Sequence, residues 1–295
     1  MNILNMIPSV LMMVSPILIT ATGGMICERS GVVNIALEGL LQIGACAAAS
    51  THVLLESSLI FSPWIALLVG GVLGMLFSSI HAFASITLKA NQTVSGTGIN
   101  LLANGITIFF SQILFQADRT KPFQTGLLAG PFGIYPTVYI AIIVVVLSWF
   151  ILYKLPFGLR LRACGENPSA AASVGVNVIG MRYFSVLASG FLAGLAGGCL
   201  VLTETIQYTV NTINGTGFIA LAAVSFGRWR PLGITLSSLL FGTAVAFSIY
   251  VVNIQVLREA VPAEVFSLMP YVITILALIV FSGKNYAPRA AGQKY

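Results

Sequence analysis

The stretch KLPFGLRLRACGENPSAAASVGVNVIGMR, residues 154–182, decides the architecture of this chain, because it is a polar and basic island in an almost uncharged sequence. It carries Lys154, Arg160, Arg162 and Arg182, whereas charged residues make up only 7% of the whole, against roughly 25% in soluble domains. Apolar residues make up 57%. A water-soluble fold needs far more charge to cover its exterior. The flanking apolar runs therefore read as membrane spans, and 154–182 as a loop in water. Positive charge collects on the cytoplasmic side of membrane proteins, which places this loop in the cytoplasm.

Outward from the loop, nine stretches of at least 17 residues are free of Asp, Glu, Lys and Arg: 1–27, 39–55, 57–88, 90–117, 122–153, 183–203, 205–227, 231–257 and 265–283. A spanning helix takes about 20 residues, so each stretch holds one span and the expected fold is an all-α polytopic membrane protein with about nine transmembrane helices (8–10). Pro63 and Pro136 stand where two of these helices open. An odd number of spans puts the termini on opposite sides. With the N-terminus outside and the C-terminus cytoplasmic, eleven basic residues lie inside: Arg29, Lys89, Lys154, Arg160, Arg162, Arg182, Arg228, Arg230, Lys284, Arg289 and Lys294. Three, Arg119, Lys121 and Arg258, lie outside. The net charge of +6 is thus topological, spread singly or in small groups between apolar runs, and does not point to nucleic acid.

Two of the runs are interrupted. ERSGVVNIALEGLLQIG (28–44) and NTINGTGFIALAAVSFGRWRPLG (211–233) mix Gly and Asn with apolar residues, so broken or half helices are expected near 30–45 and 211–230. Irregular backbone at membrane depth survives only where protein or a water-filled cavity satisfies it. Glu38 is the costliest group in the first break, since an intramembrane carboxylate needs a partner or a purpose. It reads either as a hydrogen-bonding group for a polar solute, with Asn34 one turn away, or as a structural partner of Arg29 or of a helix-end backbone group. Asn100 and Asn104, at i and i+4, share a helix face and either line a cavity or glue helices together. Asn34, Glu38, Asn100 and Asn104 are the candidates for a substrate pathway.

Other features are plainer. Gly190, Gly194 and Gly198 form a doubled small-residue stripe of the close-packing kind. Cys27, Cys46, Cys164 and Cys199 have no metal or redox spacing and read as small buried hydrophobes. His52 and His81 have no metal-ligand spacing, so no metal site is expected. GTG at 96–98 and 215–217 lacks the rest of a dinucleotide fingerprint, and no P-loop occurs. Neither a Ser-His-Asp set, an HExxH nor a carboxylate pair is present, so no catalytic residue is expected. An intramembrane enzyme would show a nucleophile or a metal cluster in its spans.

Four stretches together, ERSGVVNIALEG (28–39), RACGENPSAAASVGVN (162–177), SGFLAGLAGG (189–198) and GTGFIALAAVSFGRWRPLG (215–233), resemble the permease subunits of bacterial ABC importers. The branch is the one handling ribose-type sugars, branched-chain amino acids and nucleosides, and the chain looks most like the shorter of the two permeases of nucleoside importers. The resemblance covers roughly residues 15–285 and implies one transmembrane permease domain over 1–295, with 154–182 as its cytoplasmic coupling loop. In that family a short coupling helix docks in a groove of the ATPase. Here Gly165, Glu166, Asn167, Pro168, Ala171 and Gly175 inherit that role, and the residues agree: Asn167 suits an N-cap, Pro168 the first helical position and Gly175 the end.

The implied partners are a cytoplasmic ABC ATPase that binds the ATP, a second permease subunit, an extracytoplasmic solute-binding lipoprotein and the lipid of the bacterial plasma (inner) membrane. The permease itself holds no cofactor and makes no covalent bond. Riboflavin or a ribose-type sugar is the alternative solute to a nucleoside. A secondary transporter, the other class of carrier, has no need of a small-residue docking helix in its largest cytoplasmic loop.

Overall fold

A computed structural model of the chain describes residues 7–252, 265, 268–281 and 286–295. Among them helices follow in the order α1 (Ile7–Arg29), α2 (Leu37–Leu55), α3 (Ser62–Ala82), α4 (Gln92–Phe115), α5 (Pro136–Lys154), α6 (Pro156–Glu166), α7 (Pro168–Ser173), α8 (Val178–Leu200), α9 (Thr216–Phe226), α10 (Pro231–Val252) and α11 (Met269–Phe281). A π-helical turn prolongs α3 over Phe83–Thr87 and α8 over Val201–Thr205. Pro63 and Pro136 open α3 and α5 as expected.

Each uncharged run contains one helix, although 1–27, 231–257 and 265–283 lie partly outside the described residues. Among the described residues six helices (α1, α3, α4, α5, α8 and α10) are long and apolar enough to cross a membrane, which points to a multi-pass membrane protein. The step from nine runs to six such helices has local causes. In α2, 19 residues long, Glu38, Gln42 and His52 dilute the apolar sequence. The 11-residue α9 reaches only about 16 Å at 1.5 Å per residue, half of a bilayer core of about 30 Å. The described part of α11 has 13 residues, and its run lies partly outside the described residues.

Glycine sets the packing at the centre. α8 lies against α2 and α3, where a methyl group on Gly44 would sit 2.1 Å from the Gly194 carbonyl oxygen and one on Gly194 would sit 2.3 Å from that of Gly70. The backbones touch there, which brings α2 into the core despite its polar residues. The expected small-residue stripe on α8 is this interface. α1 and α8 are 78% and 72% buried along their spans, whereas α4 and α5 are only 22% and 28% buried and turn apolar side chains such as Leu101, Phe109 and Ile142 outward.

The two ends of the bundle are built differently. At one end, Gly165 of α6 packs on the Arg29 carbonyl, Ala290 N–H donates to Gly165 O at 2.8 Å and Gly292 N–H donates to Gly31 O at 3.1 Å. At the other, the 116–135 segment is held by Glu56, whose Oε1 accepts from the Gln124 and Thr125 N–H groups at 2.8 and 2.6 Å. His52 and Thr125 O also pair there, and His81 bonds Ser95 Oγ at 3.0 Å, so both histidines are packing residues. All four cysteines are free and buried.

Replacing Gly194 with Ala places a methyl group into the Gly70 carbonyl, where overpacking costs about 1–3 kcal/mol or more. A fall in the unfolding temperature of the detergent-solubilised protein is expected. Gly105→Ala, with nothing within 4 Å of the added carbon, leaves that temperature unchanged or raises it.

Candidate functional site

The two interrupted runs meet. α1 ends at Arg29, residues 30–36 are irregular, and α2 starts at Leu37 with no side-chain cap from its own N-cap residue. Orphan backbone groups at such a break must be paired, and amides pair them. Asn34 is fully buried; its Oδ1 accepts from Ala36 N–H at 3.1 Å and its Nδ2 donates to Ser189 Oγ at 3.0 Å. Asn100 reaches over from α4, accepting from Gly39 N–H at 2.8 Å and donating to Ile35 O at 3.0 Å.

The second break is closed by the first. α9 starts after Gly215, whose φ of 84° is in the left-handed region, and again has no cap of its own. The Glu38 carboxylate supplies one from a different helix. Its Oε1 accepts from Gly215 N–H and its Oε2 from Gly217 N–H, both at 2.6 Å. A negative charge against the positive end of a helix dipole is favourable, and more so away from water. Of the roles expected for Glu38, the helix-end one holds. Arg29 is not its partner: that guanidinium donates to Trp229 O through Nε and Nη2, at 2.9 and 2.7 Å.

The other end of α9 is clamped as well. Trp229 sits in the turn to α10 with φ 53°, and its indole Nε1–H donates to Glu28 Oε2 at 2.5 Å. Glu28 and Arg29 thus hold both polar groups of one tryptophan. Spacing in the sequence carries no sign of this, since the partners are some 200 positions apart. The presence of both in family-like stretches was the available clue.

Beside the Glu38–α9 junction lies a pocket of about 600 Å³, within the usual size of a small-molecule site. Glu38, Asn100 and Asn104 line it, joined by Asn211, Asn214 and Phe218. Asn34 lies apart from it. Since Glu38 and Asn100 are committed to backbone, the amides with no partner among the described residues are those of Asn104, Asn211 and Asn214, all exposed. The sequence reading took the last two only as part of the interrupted 211–233 run, because nothing local to them shows that they face the Asn104 side of α4.

The 154–182 segment is more helical than a loop. α6 fills its first half, and α7 follows with Asn167 Oδ1 accepting from Ala170 N–H at 3.0 Å, Pro168 at its start and Gly175 at φ 82° beyond its end. The six coupling candidates divide by exposure. Glu166, Asn167 and Gly175 face outward and Pro168 is half-buried. Gly165 packs on α1, and Ala171 is 3% exposed, against Cys164 and Val178.

Comparison with known proteins bears on this geometry. The family model for the branched-chain amino acid transport system / permease component matches residues 6–278. The guanosine ABC transporter permease protein NupQ of Bacillus subtilis is 42% identical over 98% of this chain and 95% of its own length. The nucleoside ABC transporter permease protein NupC of Lactococcus lactis subsp. cremoris is 37% identical over 100% of this chain and 99% of its own. A putative glucose ABC transporter permease protein, TsgC13 of Haloferax volcanii, is 33% identical over 77% of this chain and 71% of its own. No solved structure matches. With its helices, its breaks and nearly its whole length accounted for in this way, the chain belongs to the family of permease components of the branched-chain amino acid transport system.

Proposed function

We propose that this chain is the membrane permease of an ATP-driven ABC importer that carries nucleosides across the bacterial plasma membrane. The observation that carries the reading is the pocket at the Glu38–α9 junction, where the free amides of Asn104, Asn211 and Asn214 share one cavity with the ring of Phe218. Amide side chains match the edges of a purine, and an aromatic ring stacks on a base face. The names of the guanosine and nucleoside relatives support the same class of solute. A sugar offers hydroxyls but no face to stack.

In this reading 154–182 faces the cytoplasm, with the N-terminus outside. The exposed side of α7 and its flanks, from Glu166 through Ser169, Ala170 and Val174, docks on a separate ABC ATPase. A second permease closes the open side of the pocket, and an extracytoplasmic solute-binding lipoprotein delivers the solute. The permease needs no cofactor of its own, because ATP is bound by the ATPase.

Uptake of labelled guanosine by proteoliposomes holding the assembled transporter tests the solute. Unlabelled nucleosides are expected to compete, whereas ribose and riboflavin at equal concentration are not. Stronger competition by either of those assigns the pathway to it instead. Losing one hydrogen bond costs about 1 kcal/mol, so Asn104→Ala should raise the half-saturating guanosine concentration about fivefold, and Phe218→Ala by at least as much. Asn34→Ala should lower thermal stability without moving that concentration, and Glu38→Gln should lower uptake and stability together.

Coupling is tested at the loop. Ala170→Trp, on the exposed side, is expected to leave the complex stable and hydrolysing ATP while uptake fails. Ala171→Trp, pointing into its own chain, is expected to reduce the amount of folded protein. Unchanged uptake in a folded Ala170→Trp complex removes α7 from the docking surface.

A further inference from the structure

Cations gather at the 154–182 end, where the carboxylates are Glu28, bonded to Trp229, and Glu166. Arg228 and Arg230 flank the buried Trp229 in the turn before α10 and are exposed. Arg162 lies with its guanidinium 4.7 Å from the ring centre of Tyr153, and the Lys154 ammonium lies 5.5 Å from that of Trp149. Arg228 is stacked 4.5 Å from the ring of Tyr286. The Arg162 Nε is buried with no hydrogen-bond partner. Among the described residues, the ion pair within 4.0 Å is His52 with Glu56, at the opposite end; none of these four cations has one. Cations left without an ion pair in the protein attract an anion from their surroundings, and more strongly where the local dielectric is low.

Two of these cations, Arg228 and Arg230, border a groove of about 760 Å³ between the end of α5 and the start of α10. Arg228 and Arg230 line one part, Trp149 and Tyr153 form a wall, and Leu232, Leu236 and Leu240 continue it along α10. Leu232 and Leu236 are 77% and 68% exposed on a helix that crosses the membrane, so this part of the groove opens to hydrocarbon. Aromatic residues such as Trp and Tyr mark the level of lipid headgroups. The order cation, aromatic wall, aliphatic slot is the order of a phospholipid.

We propose that this groove binds an anionic phospholipid of the leaflet on the 154–182 side, its phosphate held by Arg228 and Arg230 and an acyl chain lying along Leu232, Leu236 and Leu240. Basic pockets between helices at this depth are suited to anionic headgroups. Excess positive charge selects an anionic lipid over a zwitterionic one. The occupied turn is also the one that Glu28 and Arg29 clamp, so the lipid would steady the base of α9.

The test uses the assembled transporter in detergent, titrated with phosphatidylglycerol, phosphatidylcholine or inorganic phosphate. The unfolding temperature and retained lipid by native mass spectrometry are recorded. Phosphatidylglycerol should stabilise and be retained, phosphatidylcholine should not, and Arg228→Gln with Arg230→Gln should weaken its binding about thirtyfold. Arg119→Gln with Lys121→Gln, at the other end, should leave it intact. Brominated phosphatidylglycerol should quench wild-type fluorescence more than the Trp149→Phe variant, a readout that does not depend on the arginine variants folding. Equal binding of both lipids, or quenching indifferent to Trp149, overturns the proposal. Equal stabilisation by inorganic phosphate overturns the lipid as source. Loss of a protein subunit from the double arginine variant, with its lipid retained, assigns the groove to that subunit instead.

Discussion

The structure depends on one carboxylate. Glu38 receives the first N–H groups of α9 at 2.6 Å, and without it the half helix would start in the middle of the membrane with its donors unpaired. Unsatisfied backbone in hydrocarbon costs several kcal/mol per group. A side chain from α9 itself could cap it, but a cap from α2 does more, because it fixes two broken segments against each other. Satisfying the backbone and joining the elements are here one interaction. The charge on Glu38 is affordable only because the helix dipole it meets has the opposite sign.

That interaction needs α2 to be in place, and glycine puts it there. α2 is too polar to face lipid for its full length, so it must be enclosed by α3 and α8. Helices in membranes approach closely only through small residues, because lipid offers no hydrophobic drive toward association. The contact of Gly44 with Gly194 supplies that approach, and dispersion between touching backbones replaces the hydrophobic effect. Asn34 and Asn100 then satisfy the loop that leads into α2. All three side chains, Glu38 included, are bonded to the protein itself: Asn34 and Asn100 each through both amide ends and Glu38 through both oxygens.

Much of this was legible in the sequence, because the rules that apply in lipid are strict. Runs free of charge marked the helices, Pro63 and Pro136 marked two starts, and the Gly190–Gly194–Gly198 stripe marked a contact. Gly and Asn inside apolar runs marked both breaks. The capped start of α7 was readable from Asn167 and Pro168, since a cap is local. What was not legible is pairing across the chain. Nothing near Glu38 names Gly215 as its partner, and nothing near Glu28 names Trp229. A polar group at depth announces that it needs a partner and does not say which one. The same ignorance of pairing left open which of the polar groups in and near the two breaks bind backbone, as Asn34 and Asn100 do, and which, like Asn211 and Asn214, line the pocket.

Held at both ends, α9 behaves as a strut between the two faces of the bundle's inner half. Its start is tied to Glu38 beside the pocket, and the turn after its end is tied to Glu28 and Arg29 of α1. The Arg29 carbonyl is in turn covered by Gly165, where a methyl group would lie 2.2 Å away. The backbone of α6 therefore rests directly on the end of α1 with no side chain between them to absorb a shift. Packed elements of this kind move as bodies. The pocket lies beside the start of α9, and the hydrogen bonds that hold the two ends of that helix have named partners: Arg29 and Glu28 to Trp229, and Gly215 and Gly217 to Glu38.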